Sequence, residues 1–355
     1  MNAAAGGAAL STLGLMRALE QQGIASSAVC FPNGDAAERQ ALLDATHGRA
    51  EFVELYTWHR KIRSAAWKRP LLELRQWVRT RGRVRSLGAV ALAARRTRAQ
   101  LVHTNTILTP EGGQAARALG LPHVWHLREL IGPGDPFQLP LRGPALGRYL
   151  RRHASVVIAN SGASARNLAG LLDADRLATI PNGLELAPFL ALGPKVGGPL
   201  VVGMVASVTS RTKKHALFLE AARRLRGQAE FRIYGHLPAE GDDPYADEVR
   251  RLAQQAGVQL CGFLSAEAIA PQLDLLVHPA DNESFGRTVV EAMAAGRPVV
   301  GANGGGVAEL VEAGVTGWLA PPDDAEALAR AIAEALQDPA RRATFGAAGR
   351  ERARA

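Results

Sequence analysis

Two carboxylates eight residues apart, Glu283 and Glu291, lie in the stretch from Asp281 to Val300. Glu283 sits at a turn, with Ser284, Phe285 and Gly286 directly behind it. Arg287 and Thr288 open an apolar, helix-like run, and Glu291 falls inside that run. The preceding segment, Leu273 to His278, has the apolar character of a buried strand. The order is strand, turn, helix, turn, strand. A helix that starts just after a strand presents free backbone N–H groups and a partial positive charge, which suits a phosphate. Over eight residues a helix rises roughly 10–12 Å, the reach of a nucleotide sugar whose diphosphate sits at the helix start. Glu291 can then hold ribose hydroxyls while Glu283 faces the sugar. An ordinary helix with two surface glutamates would satisfy the spacing alone. It does not account for Gly296, Pro298, Val299 and Val300 following in register.

Such a pair needs a scaffold that delivers strand ends to one place. At 355 residues the chain is long enough for two domains, each with its own core, and 47% hydrophobic content makes it globular. Strand-like and helix-like runs alternate, which argues for α/β architecture. Ala8 to Gln22 has helical spacing, Gly23 ends it, and Ile24 to Phe31 reads as a strand. Leu101 to Asn105 is a strand, Pro110 to Leu119 a helix, and His123 to Glu129 the next strand and its exit. Ligands in such folds bind at the carboxyl ends of strands, so Asn105, His126, Arg128 and Glu129 lie where chemistry is expected. Leu190 to Pro199, rich in Gly and Pro, reads as a linker between a first domain, 1–190, and a second, 191–340. Further strands run from Val201, Phe231 and Val258, and Asp324 to Leu336 reads as the final regular helix, with 341–355 a partial one. Asp173-Ala-Asp175 follows a helix-like run rather than a strand and reads as a solvated turn. His278 and Asp281 are too isolated to suggest a metal.

The Glu-x7-Glu pattern, with Phe285-Gly286, Glu291-Ala-Met293 and Gly296-x-Pro298, resembles the signature of retaining glycosyltransferases of family 4, which have the GT-B fold. Ser155 to Ser161, Ile180-Pro-Asn-Gly183 and Ala302 to Glu309 resemble further elements of that family. The resemblance implies two Rossmann-like domains facing a central cleft, the first for acceptor and the second for a nucleotide-sugar donor. It implies hexosyl transfer with retention at the anomeric carbon, no metal and no other cofactor. Glu283 would orient the donor sugar and Glu291 would bind ribose. The groups from Ser284 to Thr288 (Phe285, Gly286 and Arg287 among them) would hold the diphosphate, and His126 would stabilise the sugar from the first domain. The family also places an Arg and a Lys after the first strand of the second domain, on the diphosphate. Arg211 and Lys214 take those roles here, with Lys213 competing for the second. The family's usual Arg position holds Ala206 or Ser207, and His215 replaces a Gly. A Gly-Gly turn near the donor phosphates corresponds to Gly6-Gly7. The first strand that should precede it, and most of a C-terminal helix, are expected to be truncated.

Charge is uneven. Residues 1–190 hold 24 Lys/Arg and 13 Asp/Glu, a net of +11, and 191–355 hold 18 and 20, a net of −2, giving +9 in all. Arg60 to Arg98 concentrates 13 cations with one acid, Glu73, and interleaves Trp67, Leu71, Trp77 and Val78. That composition suits an anionic membrane surface or an acidic acceptor. Solvated helix faces in an Arg-rich chain give the same composition, and nucleic acid is the weakest match. Cys30 and Cys261 are far apart, so neither a disulfide framework nor a metal site is indicated. No apolar run is long enough to span a membrane, and the N-terminus lacks the marks of a signal peptide. The chain thus reads as cytoplasmic, at the inner face of the cell membrane, moving sugar onto a glycan or lipid-linked acceptor in cell-envelope polysaccharide or glycolipid synthesis. A GT-B epimerase or hydrolase, and a non-catalytic nucleotide-binding relative, are the competing readings.

Overall fold

The computed structural model describes residues 7–31, 36–53, 55, 57–58, 60–61, 84–131 and 137–355. Gly6 and most of the basic stretch, 62–83 with its apolar interleaving, lie outside the described residues. The chain divides into two compact units, Met1–Gly183 and Leu184–Ala355.

In the first unit the strands are β1 (Ala28–Cys30), β2 (Ala50–Phe52), β3 (Arg60–Lys61), β4 (Val102–Thr104), β5 (His123–Leu127), β6 (Phe137–Gln138), β7 (Val156–Ala159) and β8 (Leu177–Thr179). The main sheet has the order β4-β5-β7-β8 with every pair parallel. Its helices are α1 (Gly7–Gln21), α2 (Ala36–Ala45), α3 over 84–96, α4 (Glu111–Leu119), α5 (Gly143–His153) and α6 (Gly162–Arg166). Gly7 is the first residue of α1. Trp125, Leu127, Leu146, Leu150 and Val157 form the core between sheet and helices. α4 stops at Gly120, whose φ of 69° takes the left-handed region that L side chains avoid.

The second unit holds β9 (Val201–Val205), β10 (Glu230–Tyr234), β11 (Gln259–Gly262), β12 (Leu275–His278), β13 (Val299–Ala302) and β14 (Gly317–Ala320). They form one parallel sheet in the order β11-β10-β9-β12-β13-β14. This is the doubly wound order, in which the chain runs outward from β9 in one direction and then from β12 in the other. Every residue of β12 is buried, as a central strand covered on both faces must be. The helices are α7 (Ala187–Leu190), α8 (His215–Arg224), α9 (Pro244–Ala256), α10 (Ala266–Ile269), α11 (Arg287–Ala294), α12 (Val307–Leu310), α13 (Ala325–Gln337) and α14 (Pro339–Arg354).

Two boundaries differ from the sequence reading. The second unit begins at Leu184 rather than 191, and the stretch read as a linker, Leu190 to Pro199, packs on it. Phe189 is buried against Ala270, Ala294 and Ala295, and Lys195 pairs with Asp274 at 2.6 Å. Arg297 and Arg350 donate to the carbonyls of Gly193 and Leu192 at 2.9 and 3.0 Å. Gly and Pro mark an irregular path, which is not the same as an unpacked one. The partial helix expected over 341–355 is α14, which starts earlier, at Pro339, and lies on α11. A Cβ on Gly346 would come within 2.3 Å of the Gly296 carbonyl oxygen, so small residues set that approach. α14 carries few large apolar side chains and docks partly through arginines, of which Arg342 caps the end of α13 and Arg352 the end of α12.

The fold also predicts an acid sensitivity. His123 is buried at the start of β5, with Nε2 2.8 Å from Thr104 Oγ1 and Nδ1 2.6 Å from the His153 carbonyl. Burial lowers its pKa to about 4. The unfolded chain takes up this proton near pH 6.5 and the folded chain only near 4, so stability is present above 6.5 and falls as pH drops between the two. His123 alone should cost roughly 3 kcal/mol across that window. Urea unfolding of the chain and of His123→Gln at pH 7 and pH 4.5 checks this, and equal pH slopes would count against it.

Candidate functional site

In a doubly wound sheet the crevice for ligand opens at the carboxyl ends of the two strands flanking the switch point. Here those strands are β9 and β12, neighbours in the sheet. The loop after β12 carries Asp281 to Gly286 and enters α11 directly. Gly286 is the N-cap with φ 98°, and it has no side chain with which to cap the first turn. No side chain of the N-cap residue therefore competes for the positive end of the helix.

The loop after β13 stacks on this one, backbone on backbone. The Gly306 amide donates to the Glu283 carbonyl at 2.7 Å. A Cβ on Gly305 would stand 2.5 Å from the Glu283 oxygen, and one on Gly306 would stand 2.7 Å from the Phe285 oxygen. Only glycine permits that approach.

The Glu283 side chain is 18% exposed, with Lys213 Nζ at 2.7 Å and His278 Nε2 at 3.7 Å. Burial opposes its ionisation, but Lys213, His278 and the Phe285 amide outweigh burial, and its pKa lies below the ordinary carboxylate value. Glu291 faces the opposite balance. Burial raises its pKa, and Arg287, one turn back at 2.5 Å, only partly offsets this. Glu291 and Thr288 line a pocket whose other walls are apolar, including Val205, Ala266, Ile269 and Leu276.

Of the cations after β9, Lys213 reaches Glu283. Lys214 lies 3.4 Å from Asp281 and 2.5 Å from Asp323. Arg211 is not brought to this cluster: it forms a two-pronged pair with Glu248, and its guanidinium lies 4.7 Å over the Tyr245 ring. The reason is local. Arg211–Lys213 is a 3-10 turn, in which successive side chains rotate by about 120°, so Arg211 and Lys213 point to different sides. His278, Asp281 and Asp323 escaped the sequence reading as site residues. His278 was legible only as the last residue of a buried strand, and Asp323 lies too far along the chain for spacing to reveal it.

The first unit has its own polar cluster, where β4 and β5 end. His126 and Arg128 alternate onto one face with Asn105. Arg128 Nε donates to Asn105 Oδ1 at 2.6 Å and Nη1 to Asn182, while the Asn105 amide donates to Thr12. Burial lowers the Arg128 pKa to about 10 although Glu129 opposes it. His126 is buried, neither ring nitrogen has a hydrogen-bond partner among the described residues, and burial together with Arg128 and His103 lowers its pKa to about 3. Glu129 does not join this face. It accepts from the Thr106 hydroxyl and from the amides of Ile107 and Arg128, both at 3.1 Å, so its carboxylate is spent mainly on the loop after β4. Asp173 and Asp175 are exposed around a short 3-10 turn.

A doubly wound second unit, a parallel α/β first unit, and strand-end polar groups in each define the two-Rossmann-unit GT-B class. The comparisons agree. A family model described as glycosyl transferase 4-like domain matches residues 6–183, and one for glycosyl transferases group 1 matches residues 193–352. The chain belongs to the group 1 glycosyltransferases, of the family 4 type. The lipopolysaccharide core biosynthesis mannosyltransferase LpcC of Rhizobium leguminosarum is 48% identical over 69 residues, 19% of this chain and 20% of that one. The 2-deoxystreptamine glucosyltransferase of Streptomyces kanamyceticus is 29% identical over 263 residues, 68% of each chain. The chain thus spans a fifth to about two thirds of the length of these relatives. The crystal structure of Anabaena HepE in complex with UDP superposes with a TM-score of 0.73 at 24% identity, covering 99% of this chain and 93% of that one.

Lys213 and Arg211 separate on stability. Lys213→Ala leaves the buried Glu283 carboxylate short of its nearest cation and should cost roughly 1–3 kcal/mol, after allowance for the partial exposure of Lys213. Arg211→Ala removes an exposed pair and should cost under about 1 kcal/mol. Urea unfolding at pH 7 measures both, and equal losses would sink the distinction.

Proposed function

We propose that this chain is a retaining glycosyltransferase that moves a sugar from a nucleotide-diphosphate donor to a glycan or lipid-linked acceptor. The observation that carries the reading is the convergence at the β9–β12 switch point. An uncapped helix start, Lys213 beside Glu283, and Glu291 at an apolar slot all meet there. The ring of the base enters the slot, Glu291 takes the ribose hydroxyls, and the diphosphate lies at the start of α11 near Lys213 and Lys214. As the bond from the anomeric carbon to the phosphate oxygen breaks, negative charge grows on the leaving diphosphate. Fixed cations and the helix end stabilise that charge more than they stabilise the bound donor. No metal is needed for that task. Glu283, held ionised, accepts hydrogen bonds from the donor sugar's hydroxyls. His126 is assigned the stabilising role on the sugar, and Arg128 is a candidate for the acceptor. The leaving phosphate takes the acceptor's proton on the face it departs from, which gives retention.

HepE was solved with UDP and with UDP-glucose, and LpcC and the Streptomyces enzyme carry mannosyl- and glucosyltransferase names, which supports a nucleotide-hexose donor. The basic first half of the chain, +11 over residues 1–190, supports an acidic or membrane-borne acceptor and a peripheral site at the cytoplasmic membrane face. No helix among the described residues is long and apolar enough to cross a membrane.

Calorimetry with UDP, GDP and ADP should find one that binds selectively. Glu291→Ala should weaken it about 10–100-fold, while Glu283→Gln should leave nucleotide affinity within about threefold and lower turnover at least about 100-fold. Nucleotide affinity unchanged in Glu291→Ala would refute its ribose role, and full turnover in Glu283→Gln would refute the other. Donor breakdown with no acceptor requirement would instead favour a hydrolase or epimerase. The anomeric configuration of the product, read by NMR, decides retention.

A further inference from the structure

The turn that carries Lys213 and Lys214 is held in an unusual backbone state. Lys214 has φ 58° and ψ 39°, a left-handed conformation that a residue with a side chain adopts only when its surroundings impose it. Hydrogen bonds inside the turn account for part of this: the Lys214 amide donates to the Arg211 carbonyl at 3.0 Å, and the Ser210 hydroxyl caps the turn. The rest comes from outside it. His215, the next residue, is fully buried, and its Nδ1 lies 2.9 Å from the Tyr245 hydroxyl. Arg211, at the other end of the turn, lies over the Tyr245 ring and pairs with Glu248 on the same helix. One side chain of α9 therefore grips the turn at both ends, its hydroxyl on His215 and its ring on Arg211.

Tyr245 is itself fixed. Its amide donates to Asp243 Oδ1 at 2.8 Å as part of the N-cap of α9, and its ring packs against the main core of the second unit. Burial lifts the Tyr245 hydroxyl to about 12 although Arg211 opposes it, and burial lowers His215 to about 4. Both partners are neutral through the physiological range, so the grip does not depend on pH there.

We propose that Tyr245 is a positioning residue for the diphosphate subsite: it touches no substrate, and it sets where Lys213 and Lys214 stand. The sequence departure at His215 fits this role, because a buried imidazole supplies a partner for the tyrosine hydroxyl that a glycine would lack. The inference rests on the donor-binding reading given above.

The test is calorimetric, on the full chain, with whichever of UDP, GDP and ADP binds, and with inorganic pyrophosphate as a base-free probe. Tyr245→Phe keeps the ring and loses the hydroxyl, and should weaken binding about threefold. Tyr245→Ala loses both contacts and should weaken it about tenfold. In a Lys213→Ala/Lys214→Ala background, Tyr245→Ala should add less than about twofold, because there is no longer a cation to position. Circular dichroism and thermal melts establish that each variant is folded. Unchanged affinity in both Tyr245 variants, or a full tenfold loss that persists without the lysines, overturns the inference. If the lysine variant binds as the parent does, or the parent binds no probe, the diphosphate reading itself fails and takes the inference with it, a pattern distinct from the first two.

Discussion

The hydrogen bond from the Gly306 amide to the Glu283 carbonyl is the constraint on which the second unit's chemistry depends. Two loops leave adjacent parallel strands and must lie on one another, and only glycines at 305 and 306 let their backbones meet. That contact fixes the path of residues 281–286. The path in turn aims the Glu283 side chain at Lys213 and leaves the start of α11 facing outward. Leu310, at the end of the short helix after the glycines, closes on Gly286 from the other side.

Within that frame, two glutamates on one segment are tuned in opposite directions. Glu283 meets a lysine, a histidine and a backbone amide, which together overcome burial. Glu291 meets one arginine a turn away and an apolar wall, and burial prevails. The pKa values of identical side chains thus move in opposite directions, and the difference comes from their neighbours. Lys213 arrives from the loop after β9, seventy residues earlier in the chain.

Much of this was legible in the chain itself. The buried run before Asp281, the glycine before Arg287 and the eight-residue spacing of the glutamates located the strand, the turn and the helix. The alternation of runs gave the fold class, and Arg128 and Asn105 were placed at strand ends where the structure also puts them. What remained hidden has a common cause. The choice between Arg211 and Lys213 depends on the rotation of a 3-10 turn, which spacing does not show. Glu129 looked available because it follows a strand, but it turns inward to satisfy two amides. α14 was expected only in part, over 341–355, because it lacks an apolar stripe and part of its docking is arginine to carbonyl, and Leu190 to Pro199 read as a linker because Gly and Pro say nothing about packing.

The polar network of the first unit joins Thr12, Asn105, Arg128 and Asn182, residues spread over nearly the whole of that unit. Arg350 and Arg352 play a similar part late in the second, gripping Leu192 and Leu310. During synthesis the ribosome delivers the chain from its N-terminus, and domains fold as they emerge. The first unit's strand-end cluster is incomplete until Asn182 has cleared the exit tunnel, and the second unit's contacts to α14 form later still. Each unit therefore matures only as its own synthesis ends, so a nascent chain holds neither cluster in working form while most of it is still being made.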